Sequence, residues 1–178
     1  MEKRVSDEYS TIAFYGIEPK QDTLAAIYQH VLGWFEACGR SADVASLDGP
    51  GQSKKMGSFR RTESKLRKAG FAGVTGFSLI SLLPNATIPS DDYALKVIVS
   101  LYGKFFIISV RRSIDNLSKS VLPFAISVLE DVGPKYGIGY FRESELGPTF
   151  YALGLSQGLG RSGREYLESL NISFGMKP

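Results

Sequence analysis

The sequence predicts an α+β domain built on a largely antiparallel central sheet, with two main helices packed on one face. Three observations carry this prediction. Short apolar runs bounded by glycine, proline and aspartate recur along the chain. Two longer segments instead repeat their apolar residues at helical spacing. Between those segments lie three successive strand-like runs that nothing helical separates. With 178 residues, 43% of them hydrophobic, the chain can bury the core of one generous domain. No repeat, low-complexity tract or evident linker divides it, so residues 1–178 are read as a single domain.

Residues 11–15, Thr-Ile-Ala-Phe-Tyr, read as a first strand stopped by Gly16, and residues 1–8 before it are expected to be poorly ordered. A helix follows over about 22–38, with Asp22 as N-cap and Gly39 just past its end. Leu24, Ile27, Tyr28, Val31, Phe35 and Cys38 form its apolar stripe. Residues 44–47 suit a short strand, and Asp48-Gly49-Pro50-Gly51 a turn. A short surface helix is expected over 62–69, capped by Thr62, with Leu66 and Ala69 as its only apolar residues. A strand over 74–83 changes apolar phase between Leu79 and Ile80, as a bulge or burial on both faces would require.

The clearest local pattern is a hairpin over 94–112. Gly103-Lys104 suits a two-residue type II′ turn with Gly103 at positive φ, which pairs Tyr102 with Phe105. That register sets Leu101 opposite Phe106, Val99 opposite Ile108, Val97 opposite Val110 and Lys96 opposite Arg111. A second long helix ends at Val132 before Gly133-Pro134, with Ser120 as cap, Pro123 in its first turn, and Phe124, Ala125, Val128, Leu129 and Val132 facing inward. Residues 136–142 suit a last strand. A glycine-rich segment spans 147–163, and a short helix is expected over 164–170.

Composition excludes several chemistries. One cysteine, Cys38, rules out an intrachain disulfide, and one histidine, His30, leaves too few ligands for a histidine–cysteine metal site. His30 falls opposite the apolar stripe and is expected to be exposed; Cys38 lies on it and is expected to be a buried, inert thiol. No metal or cofactor is expected. Gly158-Leu159-Gly160-Arg161-Ser162-Gly163 matches a dinucleotide fingerprint, but the strand and acidic residue that complete such a unit do not follow before Pro178, so it reads as a flexible loop. Residues 49–55 lack the spacing of a phosphate loop and read as a basic loop. Glu143 and Glu145 are a carboxylate pair better suited to a solvated strand end than to acid–base work. No constellation for catalysis appears, and the chain is read as no enzyme. The sequons at Asn85, Asn116 and Asn171 read as chance matches. No signal-peptide core follows Met1 and no run reaches the roughly 18 apolar residues a spanning helix needs, so a cytoplasmic protein without membrane contact is expected.

Charge is more informative than its net value of +3. Lys54, Lys55, Arg60, Arg61, Lys65, Arg67 and Lys68 fall within one short stretch and only Glu63 opposes them, so this stretch more than accounts for the net charge. These seven residues are the candidate partner-binding set. Nucleic acid is one partner such a patch can serve, but only Phe59 is at hand to stack a base and no nucleic-acid motif is present. A protein with an acidic contact surface, or a plain solvated face, explains the stretch equally. Tyr136, Tyr140, Phe141, Phe150 and Tyr151 form a late aromatic cluster, most of it expected in the core.

Thr11-Ile12-Ala13-Phe14-Tyr15-Gly16, with Leu32-Gly33-Trp34-Phe35 on the next helix, resembles the start of bacterial immunity proteins of polymorphic or contact-delivered toxin systems. Residues 71–79 and 147–154 are similar in character to the same families. The resemblance implies a small cytoplasmic α+β protein that binds and blocks a toxin domain without catalysis, and it carries over no single functional residue. Many such proteins are acidic; the basic stretch here implies a toxin that presents an acidic surface.

Overall fold

The computed structural model describes residues 8–18, 23–52, 55–86, 92–114, 117–143 and 147–153. Seven strands, β1 (Glu8–Tyr15), β2 (Val44–Asp48), β3 (Gly57–Ser58), β4 (Gly76–Leu82), β5 (Tyr93–Ser100), β6 (Phe105–Arg111) and β7 (Tyr136–Glu143), form one sheet. Its order is β3-β2-β4-β5-β6-β1-β7, and every pair is antiparallel. The helices are α1 (Thr23–Ala37), α2 (Phe59–Ala69), α3 (Leu122–Ser127), α4 (Leu129–Val132) and α5 (Pro148–Ala152). The fold is thus the expected α+β class.

The apolar stripe of α1, Leu66 of α2 and the inner faces of α3 and α4 share one core with Ile12, Phe14, Phe77, Leu79, Val97, Val99, Phe106 and Ile108 of the sheet. Trp34 of α1 stacks on Phe124 of α3 at 4.8 Å and 5°, and its Nε1–H donates to Ser120 Oγ at 3.1 Å. The helix α5 covers the opposite face, where Ala152 packs with Ala13, Ile107 and Tyr140. Both faces of β1 are therefore closed off, which is why every residue from Tyr9 to Phe14 is buried, polar Ser10 and Thr11 included.

Three elements depart in their bounds from the sequence reading. The strand β1 begins at Glu8, whose partner Glu143 lies on β7. The helix α2 begins at Phe59, one turn early, so Thr62 sits inside it and Ser58 takes the N-cap position without a side-chain bond. The second long helix is broken: residues 117–121 form a π turn that includes Ser120, so Ser120 is no cap, and α3 and α4 part at Val128. Cys38 is half-buried, not buried, with Sγ 3.6 Å from Ser120 Oγ. Residues 79–81 are buried on both faces, while the irregularity in the β4–β5 pairing falls later, between Ser81 and Leu82. Asp22, Asn116, Asn171, Glu145 and the stretches 158–163 and 164–170 lie outside the described residues.

The hairpin of β5 and β6 forms, in a different register. Ser100 pairs with Phe105, Val99 with Phe106, Val97 with Ile108 and Lys96 with Ser109, not with Arg111. The loop has four residues, 101–104, and the Leu101 amide donates to Thr75 O (2.7 Å), on the β4 side. Ser100 Oγ accepts the Gly103 N–H at 2.9 Å. The positive φ, 53°, belongs to Lys104 and not to Gly103. Gly103 is required for space instead: a Cβ there would stand 2.5 Å from Phe105 Cε1. Since the slip is two residues, Val97, Val99, Phe106, Ile108 and Val110 keep the inner face, and only Leu101 leaves it for the loop.

Candidate partner-binding surface

The helix α2 lies over the β2 end of the sheet with Leu66, 7% exposed, as its single buried side chain. At 3.6 residues per turn, Phe59, Thr62, Glu63 and Leu66 fall on the inward side, and these are the residues that are half-buried or buried. Arg60, Arg61, Lys65, Arg67 and Lys68 fall on the remaining arc, about 160° wide. All five are exposed. Lys55, on the loop before β3, is exposed beside them; Lys54 lies outside the described residues. The fold therefore gathers six of the seven predicted cations at one end of the molecule.

Little within the chain answers this charge. Arg67 pairs with Glu63 one turn back at 3.0 Å. Among the described residues Arg60, Arg61, Lys65 and Lys68 make no ion pair. Arg67 and Lys68 sit in the last turn, where they suit the negative helix end, and Gly70 closes that end with its N–H on Leu66 O at 2.7 Å. Arg61 and Lys65, four apart, repel each other.

Beside α2 the surface is hollowed. A cavity of about 310 Å³ lies between Ser46 and Leu47 of β2, the loop residues Gln52, Lys55 and Met56, Gly57 of β3, and Arg61, Thr62 and Lys65 of α2. A second, of about 300 Å³, adjoins it and shares Leu47, Gln52 and Lys65. The loop that bounds both begins at Gly49, whose φ of 147° and close approach to Gly73 O, 2.2 Å from where a Cβ would be, admit no side chain. The charge stretch was legible in the sequence; the hollow was not, because it depends on which strand α2 leans against.

The other single residues resolve simply. His30 is exposed. Glu143 is exposed at the end of β7. Tyr140 is buried and donates to Pro148 O at 2.5 Å, and Phe141 and Tyr151 are half-buried; Tyr136 is exposed, stacked on Tyr15 at 5.0 Å. No group of three or more potential metal ligands occurs among the described residues.

A polar network on the α5 face went unanticipated. Thr11 Oγ1, Ser109 Oγ and Tyr93 OH join at 2.9 Å each, and Tyr9 OH donates to Tyr93 O. Lys96, 6% exposed, lies 5.1 Å over the Tyr93 ring and donates to Thr149 Oγ1 at 3.1 Å. A lysine inside an apolar strand run is the signal that pointed here. Burial pushes the Tyr15 and Tyr28 phenols up to about 12, and raises Tyr140 as well, so all three stay neutral near pH 7.

No protein-family model matches the chain, and no curated protein matches it. Among solved structures, the Pseudomonas aeruginosa T6SS protein PA0821 aligns over 82% of this chain and 44% of its own, at 12% identity and TM-score 0.47. The chain thus spans less than half of that protein's length. The adenosylmethionine decarboxylase from Aquifex aeolicus VF5 aligns over 78% of this chain and 90% of its own, at 11% identity and TM-score 0.39. No described helix is long and apolar enough to cross a membrane.

Proposed function

We propose that this protein binds and neutralises a cognate bacterial toxin by direct contact, without chemistry of its own, and that the cationic face of α2 meets an acidic surface on that toxin. The observation that carries the reading is the composition of α2: five exposed cations on one arc of a helix that folding holds by a single buried leucine. Core packing makes no demand for those charges. Charges at the edge of an interface chiefly raise association rate and exclude wrong partners. The sequence resemblance to immunity proteins supplies the class of partner, and the cytoplasm the place where it would be met.

The test is rescue. Cells expressing the cognate toxin should survive when wild-type protein is co-expressed. Reversing Arg60, Arg61, Lys65 and Lys68 to Glu should slow association with that toxin by about tenfold or more at low salt, and the difference should shrink as salt shortens the screening length from about 10 Å toward a few Å. Failure of the wild type to rescue overturns the reading. Tight, steeply salt-dependent binding of DNA or RNA by the wild type, lost in the variant, would replace it with nucleic-acid association.

A further inference from the structure

The two cavities beside α2 adjoin, with Leu47, Gln52 and Lys65 in the walls of both, and together they form the hollow called the groove below. Its two halves differ. At one end the groove carries Arg61 and Lys65, with Thr62 of the same helix and Ser46 of β2 beside them. At the other, Leu47, Leu66 and Val74 come to the wall, side chains otherwise claimed by the core. Along its base runs the outer edge of β2. The strand β3 pairs with Val44 and Ala45 alone, so among the described residues no strand covers Ser46 to Asp48. An uncovered strand edge offers backbone donors and acceptors to any extended chain laid beside it.

We propose that this groove docks an extended segment of a protein partner in which a carboxylate side chain lies next to an aliphatic one. The carboxylate meets Arg61 and Lys65, the aliphatic side chain covers Leu47, Leu66 and Val74, and the segment's backbone follows β2 past the end of β3. A nucleic acid fits poorly, because none of the residues lining the groove is aromatic and the apolar half offers nothing to a phosphate. The inference rests on the toxin-binding reading only in assigning the segment to the neutralised protein; the groove itself is testable without that protein.

The probe is a fluorescein-labelled heptapeptide of alternating Glu and Leu, followed by anisotropy. It should bind at least about tenfold tighter than an all-Glu heptapeptide or an alternating Lys and Leu one. The double variant Arg61→Glu/Lys65→Glu should weaken it at least about tenfold. Arg60→Glu/Arg67→Glu, which reverses two charges of the same helix outside the groove, should cost no more than about threefold. In the ¹⁵N-labelled protein the peptide should shift the amides of Ser46, Leu47, Gln52 and Lys65. Equal affinity for the all-Glu peptide, equal loss in the two double variants, or amide shifts confined to other parts of the sheet would each overturn the groove. Rescue by wild-type protein that binds no peptide would refute the groove alone; peptide binding without rescue would refute the toxin reading alone.

Discussion

Val99 pairs with Phe77 on one neighbouring strand and Phe106 on the other, and no part of it meets solvent. An aspartate there would bury a carboxylate among aromatic rings. Val99→Asp should cost about 4 kcal/mol or more, or abolish folding, as read by urea denaturation. Tyr28 is the opposite case. Its ring meets Phe71 and Phe77 edge-on, at 5.4 and 5.2 Å, but its buried hydroxyl has no hydrogen-bond partner among the described residues. Tyr28→Phe should therefore be neutral or raise stability by up to about 1 kcal/mol near pH 7. The pH dependence follows from the same hydroxyl. The unfolded phenol ionises near 10, whereas burial lifts the folded one to about 12. Its contribution is intact below pH 10 and is lost as pH rises through 12, because the unfolded state releases the proton first. Melting temperature should fall over that window, and less steeply in Tyr28→Phe; an unchanged slope would show that Tyr28 is not among the groups responsible. Buried apolar positions such as these were legible in the sequence because period and polarity agree. Cys38 was misread because the stripe that holds it runs out at the helix end, where Ser120 and solvent share its surroundings.

Among the elements, α2 shows how charge can be read when structure is not. Its boundary was missed by a turn, since Phe59 begins the helix with no capping side chain before it, yet the cationic arc stands on the surface as its composition implies. Lys65 lies four residues after Arg61 and three before Lys68, two unfavourable neighbours. Lys65→Glu should convert both into attractions and raise thermal stability slightly, by about 0.5 kcal/mol. A marked loss would mean that Lys65 serves folding. The hairpin of β5 and β6 teaches the complementary point. Apolar alternation fixed the face of every residue on it but left the register open by two, because a two-residue slip preserves the alternation. The loop that joins the strands has four residues, closed by Ser100 Oγ accepting the Gly103 N–H, where the two-residue turn rule expects two.

For the whole molecule, class and element order follow from the pattern of runs, whereas strand order does not. Nothing in residues 8–15 announces that they lie between β6 and β7, with β1 the second strand from an edge. The groove was hidden for the same reason: it arises where α2, β2 and a loop converge, and each alone looks ordinary. The position of β1 has a consequence for how the molecule is made. Within this sheet β1 is made first yet pairs only with residues 105–143, so it keeps two bare edges and an apolar sequence while β2 to β5 are made. Pairings this distant also make refolding slow, on the order of milliseconds to seconds. A chain ended after Gly133 keeps β6 but lacks β7, so one edge of β1 stays open, with Tyr9, Ala13 and Tyr15 beside it. That truncated chain should be recovered mainly as aggregate, and soluble monomer at wild-type yield would show that β1 can be completed without β7. The interval between residue 15 and residue 143 is thus the period in which β1 is open to wrong partners, and it ends when β7 closes over it.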